Sequence, residues 1–493
     1  MTREQQRPWD TDVVSHTGAE LEKAREAATR YAWREAFDLF AAADADEPLG
    51  PDDLDVMGEC AWWIGKMRHC IALRERAHAA YLKQGNVRRA ARVAIELGDH
   101  HADLMEGGTA AGWIQRAARL LDGQPEGTEH AWLEFGRGLL AHSESDIVTS
   151  QAHAVEAGRL AARHGDRDLF ALSLAIEGVA EATTGDAQRG VRLVEEASVA
   201  AVNGELGPRA TGTIYCLMIT VNAHVADWQR AGQWTEAATA WCNRQAINGF
   251  PGVCRVHRAE IQRLRGALSE AEEEARTATV ELGSFNLLFA ALAFKELGEV
   301  RLKMGEIDAA EEAFRQAGEM GVVPQPGLAQ LQVQRGNPKA AAVMLRRALA
   351  DGNLRPLDRG KLLPTRVEVA LLLGDLDQAR AAATELESIA DGHSSPALRA
   401  MADAASAAVG LADGTLSPAA RAAVNARRLY DEVDLSYESA RVSVLLGQIY
   451  QAQADAERAR VELSLGLSTF EAIGAVPDAN QARSLLAELP QTG

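Results

Sequence analysis

The chain has 493 residues, 25% charged and 47% apolar, which is enough hydrophobic material for a folded protein and rules out wholesale disorder. Its formal net charge of −19 argues against a nucleic acid held through phosphates, which needs clustered Lys and Arg, and fits either solubility or a basic partner. Five widely spaced cysteines make a poor disulfide framework, the opening MTREQQRPWD is too polar for a signal peptide, and no uncharged apolar stretch is long enough to span a bilayer. A cytoplasmic protein without membrane contact is expected.

Alanine and leucine dominate and aromatics make up only 5%, so helix is favoured almost everywhere. Met57-Gly58, Trp62, Gly65, Met67 and Cys70 read as a first pair of helices, and Gly85-Asn86 and Gly107-Gly108 as turns. Arg88-Arg89 with Arg92 reads as a solvated helix face. His100 and His101 are adjacent, so on a helix they point about 100° apart and chelate one metal poorly. Leu174, Gly178, Gly185, Val194 and Ala197 make a further pair.

The densest set of unusual residues runs from Tyr215 to His257 and contains Trp228, Trp234, Trp241 and Arg255. Cys254 and His257 stand three apart, on one helical face. With Cys216 and Cys242 they have the residue types of a Cys₃His zinc site, and so of a metal- or Cys/His-dependent enzyme as the lesser alternative; small cysteines filling contacts between helices are the favoured reading. An aromatic pocket here, with Arg255 reading a carboxylate or phosphate, is one expectation; an ion pair of Arg255 within the fold is the other. All nine tryptophans and all five cysteines precede residue 255, so the binding region is expected in the first half.

From residue 266 a six-residue signature recurs: Gly266-Ala-Leu268-Ser-Glu-Ala271, Gly305-Glu-Ile307-Asp-Ala-Ala310, Gly336-Asn-Pro338-Lys-Ala-Ala341, Gly374-Asp-Leu376-Asp-Gln-Ala379, Gly414-Thr-Leu416-Ser-Pro-Ala419 and a degenerate Ala454-Asp-Ala456-Glu-Arg-Ala459. Successive copies stand 39, 31, 38, 40 and 40 residues apart, the mark of a helical solenoid. In the clearest copy Phe294, Leu297 and Gly298 share one helix face, Gly305 turns the chain, and Ile307, Ala310, Phe314 and Ala317 share the next. Gly298 and Ala310 are small where the two helices approach, with Phe294 and Phe314 around them. This pattern resembles the tetratricopeptide repeat. Asn337-Pro338 and Ser417-Pro418 read as N-caps with proline in the first helical position. Asp122 to Pro125, Gly204 to Pro208, Gly321 to Pro326 and Asp391 to Pro396 read as loops between repeats.

The expected fold is therefore all-α: a tetratricopeptide-like superhelical solenoid of about a dozen antiparallel helix pairs. An aromatic- and cysteine-rich half spans 16–260, and regular Ala/Leu-rich repeats continue it over 261–489. No phosphate loop, H-E-x-x-H helix, C-x-x-C pair or G-x-S-x-G elbow is present, so no catalytic residue, no cofactor and no enzymatic role are expected.

Ala61-Trp62-Trp63-Ile-Gly65, Ala72-Leu-Arg74-Glu-Arg76-Ala77, Ala90-Ala91-Arg92-Val93-Ala94, Gly112-Trp113-Ile-Gln-Arg116-Ala117, Tyr215-Cys216-Leu-Met218-Ile219 and Gly252-Val-Cys254-Arg255-Val-His257 resemble the tetratricopeptide sensor region of large actinobacterial LuxR-type transcriptional regulators. The resemblance implies a regulatory binding module. The sequence shows no helix-turn-helix head, so direct DNA binding is not expected. Two occupants are compatible with the reading: a protein or peptide partner in the concave groove, or a small-molecule effector near residues 215–257. Candidate contacts are Trp62, Trp113, Tyr215, Trp234, Trp241, Arg255 and His257. A two-fold dimer through a terminal repeat is compatible with such arrays.

Overall fold

The computed structural model describes residues 12–244, 253–352 and 354–490. Among them are twenty-five helices and no strand. Twelve antiparallel pairs follow one another. They begin with α1 (Asp12–Thr29) and α2 (Trp33–Asp46), α3 (Pro51–Trp63) and α4 (Met67–Lys83), and α5 (Val87–Asp103) and α6 (Gly107–Leu121). Next come α7 (Thr128–Ser143) and α8 (Ile147–His164), α9 (Arg167–Thr184) and α10 (Ala187–Val202), and α11 (Pro208–His224) and α12 (Trp228–Arg244). The second half has α13 (Val253–Arg265) and α14 (Leu268–Leu282), α15 (Leu287–Met304) and α16 (Ile307–Glu319), and α17 (Gly327–Gln334) and α18 (Pro338–Leu349). Last are α19 (Pro356–Leu372) and α20 (Leu376–Asp391), α21 (Pro396–Asp413) and α22 (Leu416–Glu432), and α23 (Ser436–Ala452) and α24 (Ala456–Ile473); α25 (Val476–Glu488) closes the array. No helix among the described residues is long and apolar enough to cross a membrane.

The turn inside each pair explains the recurring signature. Gly266, Gly305, Gly336, Gly374, Gly414 and Ala454 all take positive φ, between +61° and +86°. The left-handed conformation ends one helix and lets the next start antiparallel to it. Five residues later the alanine is buried where the second helix crosses the first.

The first half carries the same device under different letters. Gly65, Met105 and Ser145 take φ of +76°, +57° and +64°, and Ala226 +57°. Cys70, Ala110, Ser150 and Ala231 occupy the small buried position that follows. Ala454 is exposed and pays the Cβ penalty of its left-handed backbone without a contact in return. Ala454→Gly is expected to stabilise the protein by about 1 kcal/mol, read as a rise in the urea midpoint with unchanged slope.

Two sequence expectations need adjustment. Pro338 does open α18, but the Asn337 side chain caps nothing and bonds Gln332 instead. Helix α22 starts at Leu416 with Thr415 as its cap residue, so Ser417 and Pro418 lie inside its first turn. Proline is tolerated there because the first N–H groups of a helix have no partner within the helix. The close approach at Gly298 is to the ring of Phe314: a Cβ on Gly298 would lie 2.5 Å from it. The same ring covers Gly327 of the next pair, while Phe294 is only half-buried.

The array coils back on itself. Trp62 of α3 meets Phe285 at 5.5 Å, Arg209 of α11 reaches Asp99 of α5 at 2.9 Å, and Asn286 reaches Asp103 of α5 at 2.7 Å. One hydrophobic core therefore combines residues of α1 to α5 with residues of α11 to α15, and it crosses residue 260. Later, α13 packs on α23 and α15 on α25. The Lys303 ammonium lies 3.6 Å from the centre of the Tyr437 ring. At these levels distant repeats are joined through the chain's own side chains.

Candidate functional site

The sequence-selected residues fall into separate groups. Tyr215 of α11 and Trp234 and Trp241 of α12 form one aromatic cluster, with ring centres 5.7 and 5.8 Å from Tyr215. Their rings fill the space between the helices, and Tyr215 and Trp241 are buried. Arg255 of α13 is engaged by Glu274 at 2.8 Å and Glu281 at 2.9 Å, both on α14, so it serves as an ion-pair residue within the solenoid. Trp113 stands half-buried on α6, edge-on to His78 at 5.2 Å. Trp62 lies edge-on to Trp63, and Trp63 stacks on Trp33 at 5.2 Å.

The four-residue zinc set does not assemble. Cys216 and Cys254 bring their sulfurs to 3.5 Å, but His257 turns toward Thr220 (3.3 Å) and Phe289 of α15. Cys216, Cys242, Cys254 and His257 yield no three-donor group of metal-ligand spacing. The reason lies in the helix: residues three apart share a face, but that face is wide, and His257 lies on its α15 side. Burial lowers the His257 pKa and keeps the ring neutral. Gly252, part of the LuxR-like resemblance, lies outside the described residues.

The densest polar constellation lies elsewhere, on α3, α4, α5 and α11. Arg74 of α4 is only 2% exposed and sits at its centre. It binds Glu59 at 2.8 Å and Glu96 at 2.6 Å, and lies 3.6 Å from Asp55. Arg92 pairs with Glu96 at 2.9 Å and lays its guanidinium 3.4 Å from the centre of the Trp132 ring of α7. Arg92 is thus part of an internal network, contrary to its reading as a solvated helix face. Arg209 binds Asp99, lies 3.9 Å from Glu59 and stacks over Trp62 at 4.8 Å.

Carboxyl groups outnumber guanidiniums in this network. Asp55, Glu59, Glu96, Asp99 and Asp103 face Arg74, Arg92 and Arg209, which leaves two carboxylates in excess. Against burial, which alone would raise it, Arg74 and Arg92 bring Glu96 down to about 2. Burial and then Glu96 push Asp55 up to about 6. Burial raises Asp99 despite Arg209, though 28% of its side chain still touches water and tempers the shift. Asp103, whose hydrogen-bond partner is the neutral Asn286, is pushed well above the carboxylate range by burial and then Asp99. Asp99 and Asp103 are four apart on α5 and share one face.

Asp99, His100 and Asp103 place three ligand-type atoms within 4.8 Å of one another, the one such set among the described residues. Its chemistry is wrong for a metal. Arg74 Nη1 lies 2.7 Å from His100 Nε2, and arginine only donates, so Nε2 must accept. Burial, then Arg74 and Arg209, hold His100 neutral, which puts its proton on Nδ1. Two guanidiniums therefore occupy the directions from which a metal would be coordinated.

Sequence reasoning passed over Glu59, Asp99, Asp103 and Arg209, and treated Arg74 only as part of a motif. Asp99 and Asp103 are i,i+4 acids on α5, a signal indistinguishable from a solvated face until the fold closes over it.

No protein-family model matches the sequence, and no curated protein is similar to it in sequence. Among solved structures the chain is similar to a chain of the APC/C hetero-tetramer Cut9-Hcn1, with 14% identity, 93% of this chain and 95% of that chain covered, and a TM-score of 0.43. It is also similar to yeast Tom70, with 13% identity, coverage of 95% and 96%, and a TM-score of 0.34. Both likenesses are distant in sequence and in superposition. The helices, their turns and their pairing make the chain an all-α, tetratricopeptide-like solenoid.

Proposed function

We propose that this solenoid is a protein-binding scaffold in regulation, and that Asp99 and Asp103 receive a Lys or Arg side chain of a basic partner segment. The observation that carries this reading is the excess of two carboxylates beside a wall that still reaches water at Asp99, Glu59 and Arg209. A cation is what this wall lacks, and a partner's ammonium or guanidinium supplies one without the coordination geometry a metal demands. The net charge of −19 steers a basic segment toward the chain. The likeness of the first half to sensor regions of LuxR-type regulators supports the regulatory setting, and the absence of nucleophile and phosphate-loop motifs supports binding over catalysis.

The aromatic cluster of Tyr215, Trp234 and Trp241 then acts as packing that holds α11, and with it Arg209, in place. The test is the affinity of a fluorescent lysine- and arginine-rich peptide for the Asp99→Asn, Asp103→Asn double variant. The control is Asp308→Asn, Asp377→Asn, which makes the same two substitutions at fully exposed positions. Affinity is expected to fall at least tenfold in the first and less than about twofold in the second, and to weaken with salt. Equal losses in both variants would show that the peptide answers only to net charge.

A further inference from the structure

Cys216 and Cys254 are the one pair of thiols the structure places in contact. Their sulfurs are 3.5 Å apart, across the packing of α11 against α13. Cys216 is buried and Cys254 half-buried, so Cys254 is the less enclosed residue of the two. Arg258 follows Cys254 by one turn of α13, and its guanidinium binds Thr239 and Glu274 at 3.2 Å each. The two thiols share one S–H···S contact in which either can donate, and the charge of Arg258 favours the thiolate of Cys254. Arg258 thus distinguishes the two sulfurs by favouring negative charge on the Cys254 side of the pair.

We propose that Cys216 and Cys254 form a peroxide-responsive thiol pair that closes to a reversible disulfide between α11 and α13. The Cys254 thiolate attacks one oxygen of hydrogen peroxide, breaking the O–O bond; the sulfur becomes a sulfenic acid and hydroxide leaves. Cys216 gives up its proton and attacks the Cys254 sulfur, forming the S–S bond as the sulfenic oxygen departs as water. Two thiols and one peroxide yield one disulfide and two waters, and the two electrons lost by sulfur reduce the peroxide. Closing from 3.5 Å to a bonded 2.0–2.1 Å brings the two sulfurs roughly 1.5 Å closer and ties α11 to α13 covalently.

The experiment treats the intact protein with a small excess of hydrogen peroxide, blocks remaining thiols by alkylation, and maps cross-linked peptides without reduction. The expected product is the 216–254 linkage, reversed by dithiothreitol, with Cys60 and Cys70 still alkylated. Those two are fully buried, with thiols pushed up to about 12. Cys216→Ser should leave Cys254 reactive but halted as a sulfenic acid that dimedone traps, and Cys254→Ser should leave Cys216 unoxidised. Dimedone labelling needs no disulfide, so it reads Cys254 reactivity even if a variant is loosened. A linkage through Cys242, uniform oxidation of all five cysteines, or no oxidation of Cys254 in the folded protein overturns the proposal.

Discussion

Replacing Gly190 by alanine is expected to cost roughly 3 kcal/mol or more and to open the α9–α10 pair. A Cβ at this position would lie 2.3 Å from the Ala182 amide nitrogen, 2.6 Å from its Cα and 2.5 Å from the Gly178 carbonyl oxygen. All three atoms are backbone, so no rotamer change relieves the contact; α10 must move off α9. Gly190 stands where other copies of the signature carry alanine, and the two helices cross so closely because Gly178 lies opposite. A Cβ on Gly178 would likewise meet the Gly190 carbonyl oxygen at 2.7 Å. Gly112→Ala is the counter-case: this helical residue of α6 has nothing within 4 Å of its missing Cβ. There alanine should add about 0.5–1 kcal/mol through helix propensity alone. Repeat arrays melt by parts, so the readout is local. Hydrogen exchange of α9 and α10 should accelerate in Gly190→Ala before the distant α21–α24 segment changes. An unchanged exchange profile would show that the crossing relaxes at little cost.

The same position shows what could and could not be read beforehand. The period of the second half is legible because its turn residue is nearly always glycine, and glycine is the residue that a left-handed backbone selects most strongly. In the first half Met105, Ser145 and Ala226 occupy that conformation with their side chains in place, and the signature disappears as letters while persisting as geometry. The polar site was hidden for a different reason. Asp99 and Arg209 are 110 residues apart and Asp103 and Asn286 are 183 apart, so only the return of the superhelix brings them together. Rare residue types drew attention to Tyr215, Trp241 and Cys254. They do cluster, because large rings and small thiols fill contacts between successive pairs.

The second large effect is expected at Arg74. Arg74→Met keeps the length of the side chain and removes its charge, leaving Glu59, Glu96 and Asp55 to face one another across a buried space. Removing one partner of such a network costs about 3–5 kcal/mol. The loss must depend on pH, and its sign follows from the carboxyls. In the native chain Glu96 is held at about 2, below its ordinary 4.5. Its contribution is therefore present above pH 4.5 and lost as pH falls toward 2. Asp55, raised from 3.8 to about 6, behaves oppositely: its contribution is full below pH 3.8 and lost as pH rises through 6. Without Arg74 the downward pull on Glu96 weakens and burial carries it upward, so Glu96 joins Asp55 in taking up protons on folding. The gap between variant and native protein should thus be widest at pH 7 to 8 and shrink by more than half at pH 5, measured by urea unfolding at both values. A gap that stays constant would assign the role of Arg74 to its aliphatic stem, which lies 3.1 Å from where a Cβ on Gly58 would sit, and not to its charge. A shrinking gap would instead show that the guanidinium is what makes a wall of carboxylates tolerable inside the coil, and that the two carboxylates it leaves unmatched are held in place at the expense of stability, as a surface kept for a cation from outside would be.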